Sequence, residues 1–291
     1  MNLGNVNIRE KMKVIHTIKE LQAELSALKA QGKMVGLVPT MGALHDGHAS
    51  LVKRSVAEND VTVVSIFVNP TQFNDKNDLL KYPRTLEADC ELLQSVGATI
   101  AFAPSVEEVY PEPDTRSFSY APLDTVMEGA FRPGHFNGVC QVVSKLFDMV
   151  QPHRAYFGEK DFQQLAIIRE MVRQMQFPLE IVGCPIVREA DGLAMSSRNT
   201  RLSAEERKTA LNISRVLFES QQFAKAHTLA ETKAFVEEGI AAIEGLRLEY
   251  YEVVNDRTLQ TVRSWDEAEG IVGCITVFCG DVRLIDNIRY K

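Results

Sequence analysis

Apolar positions along the first two-thirds of the chain follow two alternating patterns. Short runs that are apolar at nearly every position fall at 34–38, 61–68, 99–103, 155–157 and 181–187. Runs of that length, rich in β-branched residues, predict strands buried on both faces. Between them lie longer segments with a period near 3.6, at 18–30, 47–58, 86–95, 138–150 and 161–175, which predict helices. In the fourth helix the apolar stripe runs through Val139, Val142, Val143, Leu146, Phe147 and Val150. Strands and helices in alternation predict an α/β fold with a Rossmann-like parallel sheet. Ligands of such sheets collect at the C-terminal ends of the strands.

The pattern changes after Val187. Arg188-Glu189-Ala190-Asp191-Gly192 reads as a turn. Ser203 and Glu206 have capping-box spacing. Helices are predicted over 204–226 and 229–244, then strands over 248–254, 273–278 and 283–288. The expected organisation is an N-terminal Rossmann-like domain, 1–187, followed by a smaller α+β C-terminal domain, 188–291. Two loops of the first part stand out: a charged one at 74–84, broken by Pro83, and a proline-rich one at 110–114. The charged loop follows a strand tip, where gating and simple solvation are both open readings.

With 291 residues and 45% hydrophobic positions, the chain can bury a sizeable core. Its net charge of −7 argues against a general affinity for nucleic acid or for an anionic membrane surface. No apolar run reaches the ~18 residues of a membrane span. Residues 1–10 are polar, lack an apolar signal core and are expected to be loose. The five cysteines, Cys90, Cys140, Cys184, Cys274 and Cys279, are scattered and show no CxxC spacing. Buried, reduced thiols in a cytoplasmic protein are the expectation.

The candidate chemistry sits at the predicted strand–helix junctions. Pro39-Thr40-Met41-Gly42-Ala43-Leu44-His45-Asp46-Gly47-His48 joins the first predicted strand to the next helix. Backbone N–H groups at a helix N-terminus attract anions, and histidines there add donors. The segment therefore reads as a phosphate cradle. Helix capping by the histidines and metal chelation are alternatives, and no third metal ligand is evident. Asn69 and Gln72 follow the second strand in Phe67-Val68-Asn69-Pro70-Thr71-Gln72-Phe73. Their neutral amides suit hydroxyls and carboxylates, although Asn before proline is also ordinary turn chemistry. Gly158-Glu159-Lys160-Asp161 and Gln164 form another junction, with Lys160 placed to assist a phosphate and Asp161 placed to cap a helix. Met195-Ser196-Ser197-Arg198 brings two hydroxyls and a guanidinium to the domain boundary. Arg132-Pro133-Gly134-His135-Phe136-Asn137-Gly138 is a softer, glycine-rich candidate whose His135 reads as structural.

Taken in order, these motifs resemble the pantothenate synthetase (pantoate–β-alanine ligase) family. The resemblance spans nearly the whole chain: PTMGALHDGH, SIFVNPTQF, YPRTLEADC, FAPSVEEVYP, RPGHFNGVCQVVSKLF, FGEKDFQQL, DGLAMSSRN and GDVRLIDN. The family shares HxGH and KMSKS-type signatures with a wider nucleotidyltransferase superfamily. The resemblance implies ligation of pantoate and β-alanine through a pantoyl adenylate, releasing pyrophosphate and AMP. ATP is then a substrate and Mg2+ bridges its phosphates, with no dedicated protein ligands for the metal. Carried onto matching positions, it implies that Met41, Gly42, Ala43, Leu44, His45, Asp46, Gly47 and His48 line the ATP site. His48 is then the usual catalytic histidine, with His45, Lys160, Ser196, Ser197 and Arg198 sharing the charge neutralisation. Gly158, Glu159, Lys160, Asp161, Val187 and Met195 border the nucleotide. Gln72 and Gln164 hold pantoate, with Gln72 also beside β-alanine, and Asn69 is a further substrate-binding candidate. Where superfamily relatives carry a lysine-rich loop, this chain has Met195-Ser196-Ser197-Arg198-Asn199, so Arg198 takes a lysine's place. The resemblance also implies a homodimer through the first domain and a second domain that acts as a lid hinged near Arg188.

Overall fold

The apolar runs pair as one parallel sheet in the computed structural model, which describes residues 11–74 and 76–291. Residues 1–10, expected to be loose, lie outside the described residues, as does Asp75 of the charged loop. The strands are β1 (Lys13–Ile15), β2 (Val35–Thr40), β3 (Val61–Ile66), β4 (Ile100–Phe102), β5 (Arg154–Gly158) and β6 (Glu180–Cys184). Their order is β1-β4-β3-β2-β5-β6, and every pairing is parallel. β6 stops at Cys184, short of the predicted 187, because Pro185 has no N–H for the ladder. β1 was not predicted. It has three residues, and only Ile15 is buried, so it carries no usable alternation.

The connections are α1 (Ile18–Lys29), α2 (Asp46–Glu58), α3 (Lys76–Lys81), α4 (Leu86–Val96), α5 (Val106–Val109), α6 (Glu128–Phe131), α7 (His135–Val150) and α8 (Phe162–Met175). α1 starts where the Thr17 hydroxyl takes the N–H of Glu20 at 3.3 Å. α1, α7 and α8 bury Leu21, Leu25, Phe147 and Ile167 against one face of the sheet. α2 and α4 bury Leu51, Val52 and Leu93 against the other. α7 is buried on most sides, which explains an apolar stripe broader than a surface helix needs.

Beyond β6 come α9 (Ala204–Phe223) and α10 (Leu229–Ala241), followed by β7 (Leu246–Asn255), β8 (Ile271–Cys279) and β9 (Val282–Arg289). The three strands form an antiparallel sheet in the order β7-β8-β9. The predicted capping box is present, with Ser203 N–H on Glu206 at 2.8 Å and Glu206 N–H on Ser203 Oγ at 3.2 Å. α9 and α10 cover this sheet with their own apolar cluster around Ile213, Leu217, Val236 and Ile275.

The two sheets meet through a mixed contact. Met127 packs with Val254, Leu259, Val272 and Cys274. Beside it the buried Glu128 carboxylate receives Arg283 at 2.7 Å, Tyr250 Oη at 2.8 Å and Thr276 Oγ1 at 3.1 Å. Burial alone would raise this carboxyl, but the hydrogen bonds and charge of Arg283, with Arg132 and Tyr250, outweigh it and hold Glu128 at about 2. Among the described residues all five cysteines are free thiols, and four of them are buried. No described helix is long and apolar enough to cross a membrane.

Candidate active site

The sheet reverses its winding between β2 and β5, and their C-terminal ends part there. A cleft of about 220 Å³ opens at that point. It gathers residues from four of the predicted motifs: Met41, His45, Gly47 and His48; Asn69 and Gln72; Gly158, Lys160, Asp161 and Gln164; Val187, Met195, Ser196, Ser197 and Arg198. Gly42, Ala43, Leu44, Asp46 and Glu159 do not line it. Val139, Val142, Val143 and Leu146 of α7 do line it, so this stripe is both core and apolar wall.

The backbone of the first motif is mostly spoken for. The N–H groups of Ala43 and Leu44 donate to the Asp89 carboxylate at 3.0 and 2.8 Å, and Gly42 N–H donates to Thr40 Oγ1 at 3.2 Å. The histidines take others. Gly47 N–H donates to His45 Nδ1 at 3.1 Å, and His45 N–H donates to His48 Nδ1 at 3.4 Å. Gly47 has no Cβ because the His45 ring occupies that space: a Cβ would lie 2.8 Å from it. The histidines thus cap α2 and also face the cleft. Each accepts at Nδ1, so each neutral ring carries its proton on Nε2 and presents a donor.

Both rings resist protonation. Burial, and then the neighbouring Lys160, push His45 down to about 4. Burial, then His45 and Lys160, push His48 down to about 3. His135, buried and beside Arg132, is held at about 4. The unfolded chain takes up protons on these groups below pH ~6.5, whereas the folded chain does not until the lower values are reached. Stability is therefore expected to fall as pH drops from about 6.5, by up to ~1.4 kcal/mol per pH unit for each histidine. Urea midpoints measured at pH 7 and pH 5.5 test this; equal midpoints would rule out the neutral-histidine assignment.

The Gln72 corner is built on α7. Gln72 ends a 3₁₀ turn, Pro70–Gln72, that closes β3. Asn69 is buried and fully engaged. Its amide nitrogen donates to Gln72 Oε1 at 3.1 Å and to the Gly138 carbonyl at 3.0 Å, and its oxygen accepts from Tyr110 Oη at 2.9 Å. With Oε1 held by Asn69, the Nε2 of Gln72 is the donor left, 3.2 Å from Met41 Sδ. The turn rests directly on α7, where a Cβ on Gly138 would lie 2.3 Å from the Thr71 carbonyl oxygen. His135 Nδ1 donates to the Gln72 carbonyl at 2.8 Å, and Arg132 supports its other nitrogen at 3.2 Å. His135 is thus structural, as its sequence context suggested.

Lys160 lies in a 3₁₀ turn, Glu159–Asp161, between β5 and α8. Among the described residues its ammonium pairs with the Asp161 carboxylate at 4.0 Å. Asp161 makes no side-chain cap on α8. Gln164, one turn further, lines the cleft. Opposite, the Ser196 hydroxyl accepts Arg198 N–H at 3.2 Å, and Met195 N–H donates to the Val187 carbonyl at 3.0 Å. The Arg198 guanidinium is engaged by Asp78 of α3 at 2.8 Å, an oxygen pair that also holds Arg201 at 2.8 Å. Tyr82 Oη stands 3.4 Å from Ser197 Oγ, so the charged loop closes one side of the cleft.

Asp78, Tyr82 and Asp89 were missed by the sequence reading. Asp89 had a visible signal: it is an acidic residue on the apolar stripe of α4, in line with Leu86 and Leu93. Asp78 and Tyr82 had none, because their partners are more than a hundred residues away in sequence.

The profile of pantoate-beta-alanine ligases matches residues 13–289. The chain belongs to the pantoate–β-alanine ligase family. A pantothenate synthetase of Bacteroides fragilis is 80% identical over 280 residues, covering 96% of this chain and 99% of the relative. The crystal structure of a pantothenate synthetase from Thermus thermophilus superposes with a TM-score of 0.91 at 46% identity, covering 96% of this chain and 99% of that one. A pantoate-beta-alanine ligase from Francisella tularensis, solved in complex with beta-gamma ATP and beta-alanine, has a TM-score of 0.80 at 35% identity, covering 96% and 98%. The family likeness, including the Rossmann-like sheet and the smaller antiparallel one, thus runs through residues 13–289. Like its family, the chain is a ligase that makes pantothenate from pantoate and β-alanine, with ATP as substrate.

Proposed function

We propose that the cleft performs this ligation in two steps on the side chains it gathers. The observation that carries the reading is that His45, His48, Gln72, Lys160, Gln164, Ser196, Ser197 and Arg198 all line one cavity. ATP lies with its phosphates between the histidine pair, Lys160 and the Ser196-Ser197-Arg198 loop. Pantoate lies deeper, with its polar groups on Gln72 and Gln164 and its branched carbons on Val139, Val142 and Val143.

In the first step a pantoate carboxylate oxygen attacks the α-phosphorus, and the bond to the bridging oxygen breaks. A carboxylate needs no base for this. What it needs is in-line placement and donors for the charge that grows on the leaving pyrophosphate. The Nε2–H groups of His45 and His48, the Lys160 ammonium and the Ser196-Ser197-Arg198 loop are those donors. In the second step the neutral amine of β-alanine, beside Gln72, attacks the acyl carbon. The bond to the phosphate oxygen breaks, AMP leaves and the nitrogen gives up a proton.

Magnesium fits this donor set as a companion of the nucleotide. Among the described residues no three His, Cys, Asp or Glu side chains form a metal cage, and Asp161 is the only carboxylate lining the cleft. A hard cation that keeps several waters would suit such a place, with Asp161 as the carboxylate that would help hold it. When bound it supplies charge neutralisation on the phosphates. We further take residues 188–291 as a second domain that covers the nucleotide, and the active form as a cytoplasmic homodimer joined through the first domain; a sedimentation mass of a single chain would oppose the dimer.

The deciding experiment offers ATP and pantoate first and follows pyrophosphate, then adds β-alanine and follows AMP and the amide. Pyrophosphate release that requires pantoate, and AMP release that requires β-alanine, are expected. AMP release indifferent to β-alanine would point to a different acceptor.

A further inference from the structure

The motif Gly280-Asp281-Val282-Arg283-Leu284-Ile285-Asp286-Asn287 belongs to no part of the chemistry above, yet from Val282 onward it lies in β9, beside the Lys160 turn. Two neighbouring residues at its end, Asp286 and Asn287, are buried polar side chains. The Asn287 amide nitrogen donates to two carbonyls at once, Glu159 at 2.8 Å and Lys160 at 3.1 Å. Those are the backbone groups of the turn that carries the Lys160 ammonium. Asp286 accepts both guanidinium nitrogens of Arg188, at 2.7 and 2.9 Å. Arg188 is in turn fixed over the Phe218 ring at 4.8 Å. It opens the hairpin whose other arm pairs at Ala194 and continues into Met195, Ser196, Ser197 and Arg198. The backbone N–H of Asn287 also donates to the Asp286 carboxylate at 2.8 Å, which fixes that carboxylate against its own strand.

The two phosphate-facing segments of the cleft are therefore tied to consecutive residues of one strand. They come from sequence positions far apart, and no direct side-chain hydrogen bond joins Lys160 to the Ser196-Ser197-Arg198 loop among those of the described residues. We propose that Asp286 and Asn287 are positioning residues for adenylation: β9 braces the Lys160 turn and the Ser196-Ser197-Arg198 loop at a fixed separation across the nucleotide phosphates. The proposal rests on the phosphate role given to Lys160 above. Its chemistry is simple. A donor catalyses only where it meets the charge that develops, and a displacement of about 1 Å costs on the order of 10²-fold in rate. A buried amide that satisfies two carbonyls of one tight turn fixes that turn more firmly than packing against a smooth apolar side chain.

The test is a double-mutant cycle on pyrophosphate release from ATP and pantoate. Asn287→Ala is expected to lower kcat by about 10- to 100-fold while the KM for ATP changes by less than about 3-fold, because it weakens transition-state placement more than ground-state binding. In the Lys160→Ala background the same substitution is expected to cost less than about 2-fold, since the group it places is already gone. A merely structural loss would multiply in both backgrounds. Asn287→Leu roughly keeps the side-chain volume, removes the amide donor and adds no charge, and it gives the same cycle should the alanine variant misfold. A wild-type kcat in a folded Asn287 variant, or equal fold-losses with and without Lys160, would overturn the brace. A normal rate in Lys160→Ala alone would instead remove the phosphate role itself, and the brace with it.

Discussion

Lys160→Ala is expected to slow pyrophosphate release from ATP and pantoate by about 10²–10³-fold while the fold survives. The reason lies in how little else engages this ammonium. β5 ends at Gly158, the Glu159–Asp161 turn lifts Lys160 into the cleft, and its side chain is only 18% exposed. Its carboxylate neighbour among the described residues, Asp161, stands at 4.0 Å and is itself 49% exposed, so the pair is loose. A cation kept from bulk water interacts more strongly with growing charge on a leaving pyrophosphate than the same cation in solvent. Lys160→Arg is not expected to restore the rate, because a broad planar fork does not occupy the place of a compact ammonium. The measurement is single-turnover pyrophosphate release alongside the thermal midpoint. A folded alanine variant that releases pyrophosphate at the wild-type rate would refute the assignment.

His48→Ala is expected to cost about the same order, 10²–10³-fold, in the same half-reaction. Here the chemical form of the side chain makes a second, sharper expectation. Burial holds His48 down to about 3, so it enters the reaction neutral, and its Nδ1 is committed to the His45 N–H at 3.4 Å. What remains is an uncharged Nε2–H. A glutamine amide can place a neutral N–H near the same point, so His48→Gln is expected to recover part of the lost rate. An imidazole that shuttled a proton would have no such substitute, and Gln and Ala would be equally poor. Equal rates for the two variants would therefore refute the donor role. Because the ring also helps cap α2, each variant needs its thermal midpoint measured beside its rate.

Much of the sheet was legible because burial on both faces writes long apolar runs into the sequence. Four of the five predicted strands of the first part lie within a residue or two of β2, β3, β4 and β5, and the fifth only overshoots at Pro185. β1 escaped because three residues at a sheet edge leave no pattern. The site was legible as a set of segments and less so as a set of contacts. Strand tips could be located by period, and the tips converge by the topology of the sheet. The partners that hold those segments could not. Asp89 occupies the N–H groups of Ala43 and Leu44, so of the backbone and ring donors that the motif suggests, these two backbone groups are already taken. The spacing of Asn69 fits turn chemistry or a ligand; in the structure it caps the turn and also sets which end of the Gln72 amide faces the cleft. These are long-range pairings, which local spacing does not encode.

The double use of the Asp78 carboxylate bears on why an arginine stands at position 198. One nitrogen of the Arg198 fork grips Asp78, while the side chain still forms part of the cleft wall. A guanidinium has five N–H donors spread over a plane, so it can anchor the loop of α3 and still offer hydrogens to a phosphate. A lysine has a single nitrogen and would have to divide itself between the two. At this position the exchange of one basic residue for another thus changes the geometry of donation: lysine would keep the charge but gather three donors on one nitrogen, where arginine spreads five across a plane.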